Sequence, residues 1–177
     1  MAAQDLAAAL QRAESVLRRR PGLGLQDDAP ATARWASGMR VVASHANGAQ
    51  VVTDMPTELG GSGDQVTPGW LLRAGLAACA ATRIAMGAAS EGIELKTLEL
   101  RASSRSDTRG LLGMAEDDGG PIDAGPRDVQ LLVRISAHGV APERLRALVE
   151  GSHCWSPVTA ALQNAVPVTM HIEVEAA

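Results

Sequence analysis

The sequence from Pro68 to Glu91, PGWLLRAGLAACAATRIAMGAASE, is the longest apolar run in the chain, and it constrains how the rest can fold. Proline in the first turn, leucine and alanine through the body, and Gly92 just past the end are typical of an α-helix. A helix that is apolar on nearly every side belongs inside a protein or a membrane. Only nine uncharged residues separate Arg73 from Arg83, whereas a bilayer requires roughly 20. The stretch therefore predicts the buried central helix of a soluble domain that has no membrane partner.

The composition of the 177-residue chain narrows the classes of function that it can have. Hydrophobic residues make up 46% of it, enough for a substantial core, yet Phe and Tyr are absent and three Trp supply the only aromatic rings. Base stacking on aromatic side chains is therefore nearly unavailable, and a formal charge of -4 disfavours contact with phosphate backbones. We expect no nucleic-acid partner. Because Asp5 and Glu14 interrupt the N-terminal stretch, no signal segment is recognised and a cytoplasmic location is expected.

Hydrophobic periodicity predicts the remaining elements and an α+β fold. The predicted elements are, in chain order, the helix Gln4–Arg19, the strands Met39–His45 and Gln50–Asp54, the central helix, the strands Ile93–Ser104 and Val129–Ala137, the helices Pro142–Glu150 and Pro157–Asn164, and the strand Val166–Val174. This order predicts a curled, mostly antiparallel sheet wrapped on the Trp70–Ser90 helix. Residues 1–30 are expected to form a linker and an N-terminal helix, which is either a packing appendage or a dimer contact. Residues 31–177 are expected to form the main domain.

A glycine-rich loop, PTELGGSGDQVTP at residues 56–68, precedes the central helix. Such loops can cradle phosphate, but the lysine of a phosphate-binding loop and its strand–loop–helix spacing are missing. Thr67 followed by Pro68 instead fits an N-cap and the first helical position. The loop is therefore predicted to lead the chain into the central helix.

Cys79, near the middle of the central helix, has two interpretations. Free cysteine is among the most buried residue types, and it can simply fill an alanine-rich core. A reactive thiolate needs a positive charge or a helix N-terminus nearby, and Arg83, one turn further along on the same face, could supply part of that charge. The residues alone leave both interpretations open and favour the packed core residue.

Cys154 is the only other cysteine. It precedes Ser156 and Pro157, which fit the N-cap and first position of a short helix, and the positive end of that helix dipole would favour a thiolate. His153 beside it is a candidate proton partner. Neither Cys-x-x-Cys nor His-x-x-x-His spacing occurs, and the other histidines lie one per predicted element, so we expect no metal and no cofactor.

Several of these motifs together resemble the OsmC/Ohr family. They are PTELGGSG from Pro56, Thr67–Pro68, LRAGLAAC from Leu72 to Cys79, Ser156–Pro157–Val158, and Pro167–Val168 in the last predicted strand. The resemblance covers about Thr32 to Glu175 and leaves out the N-terminal helix. It implies an OsmC-like fold in which two sheets wrap around the central helices of an intertwined homodimer.

The resemblance also implies a chemistry. Typical members are thiol-dependent peroxidases that reduce organic hydroperoxides in oxidative stress defence. By this match Cys79 is the peroxidatic cysteine, which becomes a sulfenic acid; Cys154 is the resolving cysteine, and a dithiol reductant restores both. An arginine from an N-terminal strand, here Arg40 with Arg34 as second choice, and a glutamate at the start of the central helix hold the thiolate.

Two positions depart from the family pattern. The glutamate falls on Gly69, which leaves the arginine less firmly held, and the second cysteine falls on Ser156, two residues after Cys154. A disulfide with Cys79 would require the two Cα atoms to come within about 7 Å. The sequence therefore supports two hypotheses: a cysteine-based hydroperoxide reductase, or a non-catalytic OsmC-like protein that binds a small apolar ligand at the dimer interface.

Overall fold

The structure, a computed structural model, describes residues 3–164 and 166–175. Its helices and strands are α1 (Ala3–Arg19), β1 (Thr32–Ser37), β2 (Arg40–Ser44), β3 (Gln50–Thr53), α2 (Pro68–Ser90), β4 (Leu95–Arg105), α3 (Thr108–Leu111), β5 (Arg127–Ala137), α4 (Pro142–His153) and α5 (Pro157–Gln163). Helices combined with antiparallel strands confirm the α+β class.

The central helix α2 begins and ends close to the predicted residues. The Thr67 hydroxyl accepts a hydrogen bond from the Trp70 N–H at 3.2 Å, which satisfies one of the free donors of the first turn. Gly92 follows the helix with φ 67°, a left-handed conformation that glycine adopts without strain. By length and composition α2 could cross a membrane. It packs against α1, α4, α5 and β4, and Arg73 donates to the Ser104 hydroxyl of β4 at 3.3 Å.

Strands β4 and β5 form one antiparallel sheet (sheet B), and β4 lies against α2. The apolar alternation of the sequence slips near Lys96, and the pairing with β5 slips at the same place, between Leu95 and Thr97. The side chains buried between α2, α4 and sheet B are aliphatic: Ile84, Ala88, Ile93, Leu145 and Leu148. Burial of one leucine or isoleucine stabilises a fold by about 1.5–3 kcal/mol, so this cluster anchors sheet B to the central helix.

Strands β1, β2 and β3 form a second antiparallel sheet (sheet A) in that order. The β2–β3 hairpin turns at Asn47 and Gly48 as predicted, because Gly48 has φ 91° and the His45 N–H donates to the Ala49 carbonyl at 2.9 Å. The sequence pattern predicts two strands before α2, whereas the structure has three. Gly38, with φ 53°, turns the chain back and adds β1 to the edge of the sheet.

The antiparallel strands thus divide into two sheets, and only sheet B lies against α2. Within the described residues the two sheets share no strand pairing, and no strand of sheet A packs extensively against a helix of its own chain. All six residues of β1 are exposed. Sheet A therefore contributes little to the core that α2 and sheet B form.

The last predicted strand, Val166–Val174, is wrong for the single chain. Residues 166–175 belong to no strand and pair with no other described segment. Apolar side chains nevertheless occupy every second position, namely Val166, Val168, Met170, Ile172 and Val174, and they are 61–93% exposed. A strand needs a neighbouring edge to satisfy its backbone hydrogen bonds, and no such edge lies beside this segment in the described chain.

The N-terminal helix α1 packs against α2. This contact fits a packing appendage, which is one of the two roles expected from the sequence. The boundary near residue 30, between this helix with its linker and the main domain, stays a prediction.

Candidate functional site

Cys79 lies near the middle of α2 as a free, half-buried thiol. The buried face of α2 carries Leu76, Ala80 and Ile84, whereas Ala78 on the other side of Cys79 is exposed. The thiol therefore lies at the boundary between the two faces of the helix.

The Arg83 guanidinium extends away from Cys79. Its Nη1 atom lies 3.9 Å from the position that a β-carbon on Gly87 would occupy. Gly87 is about 12 Å further along the helix than Cys79, since each residue rises by about 1.5 Å. Arg83 therefore does not supply the charge near Cys79 that the sequence suggests.

Cys154 lies in the turn between α4 and α5 as an exposed, free thiol. It is the C-cap of α4, and its Sγ donates a hydrogen bond to the Gly151 carbonyl at 3.4 Å. The carbonyl end of a helix carries a partial negative charge, which does not stabilise a thiolate. Cys154 also lies two residues before Ser156, the N-cap of α5, so an effect of the α5 dipole on this thiol stays a prediction. No group of three or more His, Cys, Asp or Glu suited to a metal ion occurs in residues 3–164 and 166–175.

Two hydroxyl groups at the start of α5 have no hydrogen-bond partner in the described chain. Ser156 occupies the N-cap position, as predicted, but it makes no capping bond, and at 0% exposure its Oγ is unpaired. Thr159, in the first turn, is 5% exposed, and its Oγ1 is unpaired as well. A buried hydroxyl without a partner costs about 1–3 kcal/mol. These two groups therefore lower the stability of α5 in its surroundings.

Arg40, the candidate for holding the thiolate, is bound by two carboxylates and a serine. Its Nη2 lies 2.6 Å from Asp64 Oδ1 and 3.3 Å from Asp54 Oδ2, and it donates to Ser62 Oγ at 2.8 Å. The Asp54 side chain is only 4% exposed, and it accepts from Ser62 Oγ at 2.6 Å and from the Met55 N–H at 2.7 Å. Hydrogen bonds from Ser62, Met55 and Arg40 lower the pKa of Asp54 to about 2.

The expectation that Arg40 is loosely held without a glutamate at Gly69 is therefore wrong. Asp54 and Asp64 hold it instead, and the sequence reasoning missed both. The sequence does show one aspartate directly after β3, Asp54, and another in the glycine-rich loop, Asp64. Only the path of that loop brings the two carboxylates together. Gly61 makes this possible, because a β-carbon there would collide with the Met55 carbonyl. Among the described residues, no hydrogen bond or ion pair joins Arg40 to Cys79, and Arg34 is exposed on β1.

Gly69, where the resemblance implies a glutamate, is the second residue of α2. A β-carbon there would lie 3.7 Å from Arg73 Nη1 and 3.9 Å from Thr67 Oγ1, which are ordinary contacts. A side chain would therefore fit at this position, and it would meet a guanidinium.

An apolar cavity of about 700 Å³ lies between α2, sheet B and the helices α4 and α5. Thr159 lines it, and Glu150, His153 and Gln163 line its exposed side. Cys79 is not among the lining residues. The cavity and the candidate thiol are therefore separate features of the same central helix.

A protein-family model described as OsmC-like protein matches residues 61–171. The chain belongs to the OsmC-like protein family. The match runs from the glycine-rich loop through α2, sheet B and α5 into the C-terminal segment, and it confirms the resemblance that the sequence motifs suggest. None of the curated proteins matches the chain in sequence.

Solved structures confirm the OsmC-like fold of this chain. An OsmC-like protein from Mycoplasma pneumoniae has a TM-score of 0.65 at 18% identity, with 80% of this chain and 91% of that chain covered. An organic hydroperoxide resistance protein from Legionella pneumophila has a TM-score of 0.53 at 23% identity, covering 78% and 92%. The organic hydroperoxide resistance protein of Bacillus subtilis has a TM-score of 0.51 at 22% identity, covering 78% and 93%. At these identities the likeness shows the fold, and the roles of Cys79, Cys154 and Arg40 stay predictions.

Proposed function

We propose that this OsmC-like protein reduces organic hydroperoxides with Cys79 and acts in cytoplasmic defence against oxidative stress. The observation that carries the proposal is the half-buried free thiol of Cys79 in the middle of α2. Two further observations support it: the family to which the chain belongs, and fold neighbours that include organic hydroperoxide resistance proteins. A thiol at the edge of an apolar helix face suits a peroxide with an apolar organic group.

In the proposed reaction, the Cys79 thiolate attacks one oxygen of the peroxide. An S–O bond forms, the O–O bond breaks, and the departing alkoxide takes up a proton and leaves as an alcohol, while the sulfur becomes a sulfenic acid. A second thiol then attacks this sulfur, which forms a disulfide and releases water. A dithiol reductant returns both sulfurs to thiols. The proposed reaction requires no cofactor or metal.

Cys154 is the proposed second thiol, because the chain contains only two cysteines. It is exposed in the turn before α5, and α5 packs against α2. The sulfur has one hydrogen bond, to the Gly151 carbonyl, so little has to break before it can turn towards another partner.

The proposed assembly is an intertwined homodimer. Trp35 of sheet A is 72% exposed, and the apolar side chains of residues 166–175 are exposed as well. Large exposed apolar patches mark interaction surfaces. In such a dimer, sheet A of one chain covers the other chain and brings Arg40 to Cys79 of the partner subunit, where it can stabilise the thiolate.

The test is consumption of cumene hydroperoxide with dithiothreitol as the dithiol reductant. Cys79→Ser should reduce the rate to the uncatalysed background. Cys154→Ser, the matched control, should still form the Cys79 sulfenic acid, seen as one added oxygen by mass spectrometry, but should form no intramolecular disulfide. If Cys79 stays unmodified in excess peroxide while circular dichroism shows an intact fold, the peroxidase proposal fails.

A further inference from the structure

We propose that Asp54 positions Arg40 for its action on the Cys79 thiolate, whereas Asp64, the second carboxylate on the same guanidinium, opposes that action. This inference rests on the proposed function, in which Arg40 of one chain stabilises the thiolate of the other. It deepens that function by giving different roles to two carboxylates that bind one nitrogen atom, Arg40 Nη2.

The pairing of β2 with β3 places Asp54 beside Arg40. Val41 pairs with Thr53, so the antiparallel register brings the first residue of β2 next to the residue that follows β3. The Asp54 N–H donates to the Val66 carbonyl at 3.0 Å, and Thr53 forms a parallel bridge with Val66. Asp54 is therefore fixed between sheet A and the residue that precedes the N-cap of α2.

The Asp54 carboxylate is itself held on both oxygens. Its Oδ1 accepts from the Met55 N–H at 2.7 Å, and its Oδ2 accepts from the Ser62 hydroxyl at 2.6 Å and the Ser62 N–H at 3.3 Å. The Asp54 side chain is 4% exposed, whereas that of Asp64, on the glycine-rich loop, is 53% exposed. Asp64 is the nearer carboxylate to Nη2, at 2.6 Å against 3.3 Å. Exposed ion pairs nevertheless contribute little, because water competes for both partners, so the buried carboxylate sets the direction of the guanidinium.

Arg40 keeps hydrogen-bond donors available for a thiolate. Each hydrogen bond that its side chain makes within the described residues comes from Nη2. The N–H groups on Nε and Nη1 therefore have no acceptor in that part of the chain. Because a guanidinium is planar and rigid, holding Nη2 also fixes the direction in which Nε and Nη1 point.

The two carboxylates have opposite consequences for a thiolate. Together with Arg40 they carry a net negative charge, which disfavours another anion nearby. Loss of Asp64 should favour the thiolate, because this charge disappears while Asp54 and Ser62 still hold Nη2. Loss of Asp54 should disfavour the thiolate, because the guanidinium then has only partners on the exposed loop and is free to turn away. A charge effect alone would have the same sign for both residues.

The experiment measures how fast iodoacetamide alkylates Cys79 as a function of pH, in the full-length Cys154→Ser chain, so that a single thiol reports. In Asp54→Asn the pH midpoint of alkylation should rise by about one unit, the effect of losing a nearby opposite charge. Cumene hydroperoxide should then oxidise the thiol about tenfold more slowly at pH values below the midpoint. In Asp64→Asn the midpoint should fall by up to about half a unit.

Two further variants test whether Asp54 acts through Arg40. Ser62→Ala changes no charge and should raise the midpoint as Asp54→Asn does, by a smaller amount. It tests the inference even if Asp54→Asn does not fold, which circular dichroism would show. Arg40→Ala should raise the midpoint, and adding Asp54→Asn to it should produce no further rise. A merely structural effect of Asp54 would persist in that background.

The inference is overturned if Asp54→Asn and Asp64→Asn move the midpoint in the same direction, or if Ser62→Ala leaves it unchanged. It is also overturned if Arg40→Ala alkylates like the native chain, or if Asp54→Asn raises the midpoint in the Arg40→Ala background. The peroxidase proposal is tested separately by hydroperoxide consumption in Cys79→Ser, so the two proposals can fail independently.

Discussion

Sheets A and B are both small antiparallel sheets, but they differ in what covers them. Sheet B lies against α2, and an aliphatic cluster around Ile84 and Leu148 holds the two together. Sheet A has no comparable cover from its own chain: β1 is exposed along its whole length, and Trp35 within it is 72% exposed. One half of the fold is therefore complete within a single chain. The other half has little cover from the described chain, and residues 166–175 carry exposed apolar side chains at alternate positions.

The largest effect is expected from charges on the apolar positions of the C-terminal segment. In the proposed homodimer, Val168 and Ile172 are buried against the partner, and each contributes about 1.5–3 kcal/mol. The double variant Val168→Asp with Ile172→Asp should therefore weaken dimerisation by at least about 100-fold. Sedimentation equilibrium across a dilution series would measure this.

The control for this prediction lies on the alternate positions of the same segment. Thr169→Asp with His171→Asp adds two carboxylates to the polar side and should leave the dimer intact. Equal weakening by both double variants would mean that charge alone, rather than an apolar interface, controls association.

Two glycines lie on different surfaces of α2: Gly87 lies on the surface that packs against α4, and Gly75 lies on an open surface. A β-carbon on Gly87 would lie 2.8 Å from Ser152 Oγ and 3.0 Å from Leu148 Cδ1, whereas one on Gly75 would meet nothing within 4 Å. Gly87→Ala should therefore destabilise the protein by about 1–3 kcal/mol through overpacking against α4. Gly75→Ala should stabilise it by about 0.5–1 kcal/mol, because alanine favours a helix. Chemical denaturation measures both, and a destabilising Gly75→Ala would show that another chain contacts this face of α2.

The sequence predicted best where local chemistry decides the structure. Thr67, Pro68 and Gly92 define the ends of α2 through capping and backbone conformation, and the slip near Lys96 follows from side-chain alternation alone. The prediction failed where the outcome depends on distant segments. The strand expected at Val166–Val174 has the right alternation, but pairing needs an edge that sequence does not reveal.

The sequence likewise predicted the features of the candidate site that depend on local residues and missed those that depend on distant segments. The sequence located Cys79 on the central helix, but the carboxylates on Arg40 escaped it, because Asp54 and Asp64 meet only after the glycine-rich loop closes at Gly61. The unpaired hydroxyl of Thr159 also escaped it, since hydrogen-bond satisfaction is a property of packing.

A smaller effect is expected from restoring a glutamate at the start of α2. Gly69→Glu replaces a flexible helical glycine, places a negative charge in the first turn, and brings a carboxylate near Arg73 Nη1. Together these changes should stabilise the protein by about 1 kcal/mol, measured by urea denaturation at low and high salt. Gly69→Gln is the control, and it should retain only the salt-independent part. Equal stability of the two variants would contradict a role for the charge.

The smallest effect near neutral pH is expected from Asp54. This effect also best distinguishes the half of the fold that contains sheet A from the half that contains sheet B. Its pKa in the folded protein is about 2, against a usual value of 3.8, so its ionised form stabilises the fold. That contribution is complete above about pH 4 and is lost as the pH falls towards 2. The pKa of Asp64, which shares Ser62 and Arg40 with Asp54, is lowered as well, and Asp64 acts in the same direction. Hydrogen exchange between pH 5 and pH 2.5 should therefore show loss of protection in β2 and β3 of sheet A before β4 and β5, whose contacts with α2 are mainly aliphatic. Asp54→Asn should remove much of this pH dependence, whereas Asp28→Asn in the exposed linker should preserve it. Simultaneous loss of protection in both sheets of the native chain would mean that the two halves unfold as one unit.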